Sequence, residues 1–365
     1  MGSPSLRCAG LLRLILVSPI LLGAAAQAQT ALYEEDLLAS APIRVEQWKQ
    51  MAAYAAALPE KPLAASKGAT TDRAALERSF RASIGYPAPQ FLAKPTGHFD
   101  RVGEDSSATY YRAFIQVTPQ METYGLYIVP KNIKLPAPLV ISQHGGGGTP
   151  EMATFHGGTN YHDQVRGAVA AGYVVFAPLT VMYPFRDRDH GTAIPADVRG
   201  ILDDQLRARG TTLMGVEAYK ISRALDVVLK RPEVDAKRVA MIGLSYGGFY
   251  TLYTTALDPR IRVAIASCSF RDKELTGAAR TERIAGRPTD LSSAELVRLI
   301  APRPLQVQDG INDKGFPIDD VRRAIEKSRV FYPGSHGSDF DFEAFDGVHE
   351  FRGDVAWPFL HKYLQ

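Results

Sequence analysis

Gly243-Leu244-Ser245-Tyr246-Gly247 lies between an apolar run, Arg238-Val239-Ala240-Met241-Ile242, and a helix-like run, Gly248-Phe249-Tyr250-Thr251-Leu252-Tyr253. A G-x-S-x-G pattern alone is weak, because glycine and serine are common in turns. Between a strand and a helix it predicts a sharp, strained turn with the serine at its apex. Side chains at 243 and 247 would clash where strand and helix approach, which accounts for the glycines. Ser245 would then stand above the sheet edge at a helix N-terminus, the position of a nucleophile. The competing reading is an ordinary Gly-Ser turn.

Working upstream, Leu139-Val140-Ile141-Ser142 suits a buried central strand, and it runs directly into His144-Gly145-Gly146-Gly147-Gly148. No Gly-Lys-Ser/Thr follows, so this is not a phosphate loop. Four glycines bare the backbone N–H groups at a strand's carboxyl end, where open α/β sheets bind ligands. Such donors suit a developing oxyanion. A merely flexible turn is the bland alternative. Tyr161 to Ala171 reads as a helix, Tyr173 to Ala177 as a strand, and apolar positions from Ile221 to Leu229 recur at helical spacing. Strands follow at 261–266, 304–308 and 340–345, and a closing helix at 354–364. Alternating strands and helices imply parallel βαβ units with right-handed crossovers. Before them, 108–117 and 124–129 read as two antiparallel strands. Residues 180–213 read as a polar loop over the strand ends, and 270–301 as an insert capping the site.

A serine hydroxyl needs a general base, and the base needs an orienting carboxylate. In a strand–turn–helix nucleophile context these follow in the order Ser, acid, His. Three histidines follow Ser245. His361 falls within the closing helix and His336 precedes the last strand. His349 follows that strand directly and is the candidate base; the alternative is a loop histidine capping the next helix. Asp309 and Asp313 both follow the strand at 304–308. Asp313 is favoured, because a short loop lets its carboxylate bend back under the imidazole. Asp346 and Glu350 are weaker rivals, and Asp319 and Asp320 read as first-turn helix charges. His144, His156, His162 and His190 are scattered without metal-ligand spacing, so no metal or cofactor is expected.

The chain has 365 residues, 45% hydrophobic and 22% charged, enough for a large core in one large or two medium domains. Residues 1–28 read as a cleaved export signal: Arg7 and Arg13, an apolar stretch from Leu11 to Leu22, and a small-x-small site ending at Ala28. Arg13, Pro19 and the short length argue against the rival membrane anchor. Without Arg7 and Arg13 the net charge falls from +3 to about +1, and no basic cluster suggests nucleic acid. Cleavage also removes Cys8. Cys268, left alone in an apolar run, reads as a buried small hydrophobe rather than a reactive thiol. Residues 29–97 read as an N-terminal helical extension, with a Trp48, Met51, Ala52, Ala55, Leu58 stripe and a second helix at 74–84; a separate binding module is the alternative. Residues 98–365 would form the catalytic domain.

The glycine loop, Arg231-Pro232-Glu233-Val234-Asp235, Gly243-Leu244-Ser245-Tyr246-Gly247-Gly248, Gly310-Ile311-Asn312-Asp313 and Gly347-Val348-His349 together resemble the α/β-hydrolase superfamily over about residues 105–365. Within it the chain is most similar to the dienelactone-hydrolase-like and acetyl-xylan-esterase-like branches, bordering the prolyl-oligopeptidase catalytic domain. The resemblance implies a mostly parallel sheet with helices on both faces and a cap insert. It implies Ser245, Asp313 and His349 as a catalytic triad, with the N–H groups of Tyr246 and Gly146 as oxyanion donors. Dienelactone hydrolases proper use Cys where this chain has Ser245, and no propeller-sized region precedes the hydrolase. The expected protein is a secreted or periplasmic serine hydrolase cleaving small-molecule or polysaccharide esters, with no nucleic-acid partner and no membrane after signal cleavage. A prolyl-oligopeptidase-like peptidase and a non-catalytic hydrolase-fold binding protein are the alternatives.

Overall fold

The computed structural model describes residues 2, 31–64, 70–155, 159–181, 198–271 and 291–365. Three strands, β1 (Thr96–Glu104), β2 (Ala108–Gln116) and β3 (Glu122–Pro130), form an antiparallel meander. β2 buries Ala108 and Tyr110 and then Ala113 and Ile115, the buried phase shifting across the half-buried pair Tyr111 and Arg112. β4 (Ala137–Gln143), β5 (Val174–Pro178), β6 (Val234–Leu244), β7 (Val263–Ser267), β8 (Leu305–Gly310) and β9 (Phe340–Phe345) then run parallel. β4, β5, β7 and β8 are buried along their whole length; β4, β5 and β7 accordingly read as short apolar runs, while β8 carries buried Gln306, Gln308 and Asp309. The sheet order is β1-β2-β3-β5-β4-β6-β7-β8-β9, the order reversing around β4. Sheet and helices together form the α/β-hydrolase fold.

The first two helices are α1 (Ala41–Ala57) and α2 (Arg73–Ile84), and α3 (Pro150–Phe155) and α4 (Gln164–Ala170) follow β4. Then come α5 (Val198–Arg207), α6 (Leu213–Val228), α7 (Tyr246–Leu257), α8 (Ser293–Ile300), α9 (Ile318–Arg329) and α10 (Gly353–Leu364). α4 and α10 pack together on one face; a Cβ at Gly167 would sit 2.6 Å from Trp357 Cζ2. α6 to α9 contact one another in series on the other.

The helices begin and end where local chemistry directs. Asp72 caps α2 by accepting from the Ala74 amide at 2.8 Å, and Gly85, at φ 62°, closes it. Ser292 and Glu295 form a capping box on α8. Asp319 and Asp320 occupy the first turn of α9.

Of the expected α1 stripe, Trp48, Met51, Ala55 and Leu58 are buried but Ala52 is exposed, and Tyr54 takes its place in one core with Leu76, Phe80 and Ile84 of α2 and the sheet strands. Arg73 donates to the carbonyls of Ala301 and Leu299, so α2 is tied to the end of α8. Each large buried side chain contributes about 1.5–3 kcal/mol, so these two helices are part of what holds the sheet.

Two sequence readings are corrected. Residues 180–213 contain a helix, α5, whose buried Leu202 and Leu206 join the core; the polar residues around it hid the short amphipathic stretch. Residues 270–301 include α8 packed against α7. The export signal at 1–28 (Gly2 apart), His156, His190 and the remainder of both inserts at 182–197 and 272–290 lie outside the described residues. Among the described residues no helix is long and apolar enough to cross a membrane.

Candidate active site

Ser245 sits between β6 and α7 at φ 59°, ψ −118°, a backbone conformation that an L-residue adopts under constraint. The constraint is crowding. A Cβ at Gly243 would overlap the Gly247 carbonyl, and one at Gly247 would overlap the Gln143 carbonyl at the end of β4. The Ser245 amide donates to Ser267 O at 2.8 Å, pinning the turn to β7. α7 starts at Tyr246, two residues earlier than its sequence suggests, so Ser245 stands directly at the positive end of that helix. Ser245 and Tyr246 are half-buried while Gly243 and Leu244 below them are buried.

The glycine loop lies beside this turn. A Cβ at Gly145 would meet Leu244 O at 2.9 Å and Ser245 Cβ at 3.3 Å. His144 is fully buried beneath the loop. Its Nε2 accepts from the Thr180 amide at 3.1 Å, so Nδ1 carries the proton and donates to Gly145 O at 2.9 Å. Burial pushes its pKa down to about 4, against the pull of the Gly145 carbonyl and Glu151. His144 is therefore a neutral structural hydrogen-bonder, and Gly145 N donates to Tyr161 Oη at 2.8 Å.

At the ends of β8 and β9 two loops are clipped together: Ile311 N donates to Phe345 O at 2.9 Å and Asn312 N to Gly347 O at 3.0 Å. The result brings Asp313 and His349 together. Asp313 Oδ2 lies 2.6 Å from His349 Nδ1, and Asp313 Oδ1 accepts from the Gly315 amide at 2.7 Å and the Phe316 amide at 3.3 Å. A carboxylate only accepts, so the Nδ1 proton points at Asp313 and Nε2 is left basic. Burial alone would raise the Asp313 carboxyl; the hydrogen bond and charge of His349, with the Gly315 amide, hold it below its ordinary value. The imidazole stacks on Phe316, with ring centroids 5.7 Å apart, and Phe316 meets Phe249, in the first turn of α7, at 6.0 Å. No hydrogen bond joins Ser245 to His349 among the described residues; such contacts commonly tighten only around substrate.

The rival residues are engaged elsewhere. Asp346 accepts from Asn312 Nδ2 at 3.2 Å, Glu350 pairs with His162 at 2.8 Å, and His336 pairs with Asp339 at 2.9 Å on the surface. Asp309 is wholly buried, with no hydrogen bond to either carboxyl oxygen among the described residues. Burial, then the charge of Asp313, push its pKa well above the ordinary carboxyl value.

Cys268 is buried and its thiol pKa is pushed up by burial, in keeping with a small hydrophobe. Its Sγ, Asp313 and His349 lie within 4.8 Å of one another. Metal-ligand geometry is not the natural reading of that cluster, because the Asp313 oxygens already accept from His349 and two backbone amides.

Several residues that build this rim carry no sequence signal of their own. Gln308 accepts from Ser267 Oγ at 2.8 Å and from Arg352 N at 3.2 Å, and donates to Arg352 O at 3.1 Å, bolting the strand ends to the His349 loop. Asn160 Nδ2 donates to His349 O at 3.1 Å, and Phe351 N donates to Asn160 O at 2.9 Å. Each is a single polar residue whose partner is distant in sequence.

The sheet order and the strained serine turn at its carboxyl edge define an α/β-hydrolase. Residues 97–273 match the acetyl xylan esterase family (AXE1), a match that includes the glycine loop and Ser245 and ends before Asp313 and His349. The chain thus has the α/β-hydrolase fold and is similar to that esterase family over slightly under half of its length. It is 27% identical over 228 residues, 58% of this chain and 73% of the relative, to YtaP of Bacillus subtilis (strain 168), whose name describes it as a hydrolase. Its fold is similar to a glucuronoyl esterase from Solibacter usitatus, with TM-score 0.58, 18% identity, and coverage of 84% of this chain and 98% of that one. It is also similar to acetyl xylan esterase 1 from Thermoanaerobacterium sp. JW/SL YS485, with TM-score 0.50, 18% identity, and coverage of 90% and 99%.

Proposed function

We propose that this protein is a secreted or periplasmic serine esterase that cleaves carboxylic esters of carbohydrates, acetyl esters foremost, through Ser245, His349 and Asp313. The observation that carries this reading is the Asp313–His349 hydrogen bond of 2.6 Å on the rim that also holds the Ser245 turn. His349 Nε2 takes the Ser245 Oγ proton as that oxygen attacks the ester carbonyl. The carbonyl oxygen gains negative charge and is met by the Gly146 and Tyr246 amides, which are fixed backbone donors and need no reordering. His349 returns its proton to the departing alcohol oxygen, leaving an acyl group on Ser245. Water, deprotonated by His349, then attacks the acyl carbonyl and releases the acid. Asp313 keeps the imidazole in the required tautomer and stabilises its transient positive charge.

The carbohydrate assignment is supported by the acetyl xylan esterase family match over residues 97–273. Hydrolysis of p-nitrophenyl acetate by the wild type and by Ser245→Ala tests the mechanism; activity surviving the substitution contradicts it. A panel of acetyl, feruloyl, methyl-uronate and longer acyl esters tests the substrate class, with acetylated sugars expected to be turned over fastest. Exclusive turnover of aminoacyl arylamides would contradict the ester assignment.

A further inference from the structure

Between α3 and α4 the chain turns through two successive non-glycine residues in the left-handed region, His162 at φ 43° and Asp163 at φ 54°. Strained backbone persists where its surroundings over-determine it, and often where it serves function. The residues at this turn reach two separate parts of the rim. Tyr161 Oη accepts from Gly145 N at 2.8 Å inside the glycine loop. Asn160 holds the His349 loop by its side chain to His349 O and by its carbonyl to Phe351 N. His162 pairs with Glu350 of the same loop at 2.8 Å.

Gly145 is pinned at both ends. Its N–H goes to Tyr161, while its carbonyl accepts from His144 Nδ1 at 2.9 Å and Gly148 N at 3.2 Å. A trans peptide is planar, with C=O and N–H pointing in opposite directions. Holding the Gly145 carbonyl against His144 therefore aims the next amide, Gly146 N–H, away from the buried side. The phenol itself needs room: a Cβ at Gly148 would overlap Tyr161 Oη.

We infer that Tyr161, which anchors Gly145 by its N–H while His144 holds the carbonyl, is a positioning residue for the Gly146 amide, and that Asn160 and His162, on the same turn, fix the distance from that amide to His349. The inference rests on the esterase reading above. It deepens that reading by naming what holds the oxyanion donor relative to the base.

The test is Tyr161→Phe, which keeps the ring and removes the acceptor. We expect kcat on p-nitrophenyl acetate to fall about 10–100-fold, less than the roughly 100–1000-fold loss of an oxyanion donor itself because the Gly146 amide is misdirected and not removed, with KM within about threefold of wild type. Labelling by a fluorophosphonate, which uses the same donors, should slow by the same factor. Gly148→Ala should lower kcat strongly in the wild-type background and by a smaller factor with Tyr161→Phe present, because the overlapping hydroxyl is then absent while the ring carbon 2.8 Å from the added Cβ remains. Hydrogen exchange over residues 144–149 reads loop order without substrate and should quicken in Tyr161→Phe. Wild-type kcat and unchanged exchange in Tyr161→Phe would overturn the inference, as would equal losses from Gly148→Ala in both backgrounds. Loss of kcat only in proportion to loss of folded protein would overturn it too. Failure of the esterase reading itself would show differently, as wild-type activity absent or untouched by Ser245→Ala, and the exchange measurement would still decide the role of Tyr161.

Discussion

The turn at Ser245 and the loop that carries His349 both stand at the carboxyl ends of strands, but they are held in different ways. The serine turn is held by crowding: Gly243 against the Gly247 carbonyl, Gly247 against the Gln143 carbonyl, Gly248 against Ser269. The His349 loop is held by hydrogen bonds from far along the chain: Asp313 from 36 residues away, Asn160 from 189, with Gln308 bridging to Arg352. A site held by excluded volume tolerates lost polar groups and rejects an added methyl. A site held by polar struts tolerates changes in packing and rejects the loss of a strut. The proposed base, His349, therefore has the more adjustable placement, and the proposed nucleophile, Ser245, the more rigid one.

Ser245→Ala should have the largest effect, lowering kcat on p-nitrophenyl acetate by on the order of 10⁶-fold with an unchanged melting temperature. The methyl it retains fits the turn, so a large fall in Tm would break the claim that crowding by the glycines, and not the hydroxyl, shapes the elbow. Asp313→Asn removes the strut that orients the base and should lower kcat by about 10⁴-fold, because the amide can donate to Nδ1 and favour the wrong tautomer. A loss under tenfold would separate Asp313 from the base.

Gly247→Ala and Asn160→Ala sharpen the contrast between the two regions. The methyl at 247 overlaps backbone and should destabilise by about 2–3 kcal/mol or more, read as a shift in the urea midpoint. Loss of the Asn160 side chain removes a single hydrogen bond, about 0.5–1.5 kcal/mol, while lowering kcat several-fold through the freed His349 loop. Reversed rankings, with Asn160→Ala the more destabilising, would break the comparison.

The smallest effect concerns Asp309. Its folded pKa lies above the unfolded value, so the neutral carboxyl is favoured by folding. That contribution is fully present below the unfolded pKa and is lost as pH rises towards the folded one. Stability of the wild type should therefore decline more between pH 5 and 8 than that of Asp309→Asn, measured by urea denaturation at each pH. Parallel pH dependence would show that Asp309 titrates normally.

What could be read from the sequence follows the same division. Crowding is local and leaves glycines within a few residues of Ser245, so the elbow and its flanking elements are legible. Buried parallel strands leave short apolar runs, and so the sheet is legible too. His349 and Asp313 are legible only through chain order and their place after β9 and β8. Asn160, Tyr161 and Gln308 are not, because a strut shows itself only when the fold brings its two ends together. α5 is illegible for a related reason: its apolar positions Leu202 and Leu206 sit among charged residues that resemble a solvated loop.

The proposed site stands or falls on Ser245 being a nucleophile activated by the Asp313–His349 pair. Its most direct test is reaction of the folded protein with a fluorophosphonate, followed by peptide mass mapping and rate measurement in the wild type and His349→Ala. A single adduct is expected, on Ser245, and its formation should slow by orders of magnitude without the imidazole. An unlabelled Ser245 in folded wild-type protein, or labelling at the same rate in His349→Ala, would contradict it.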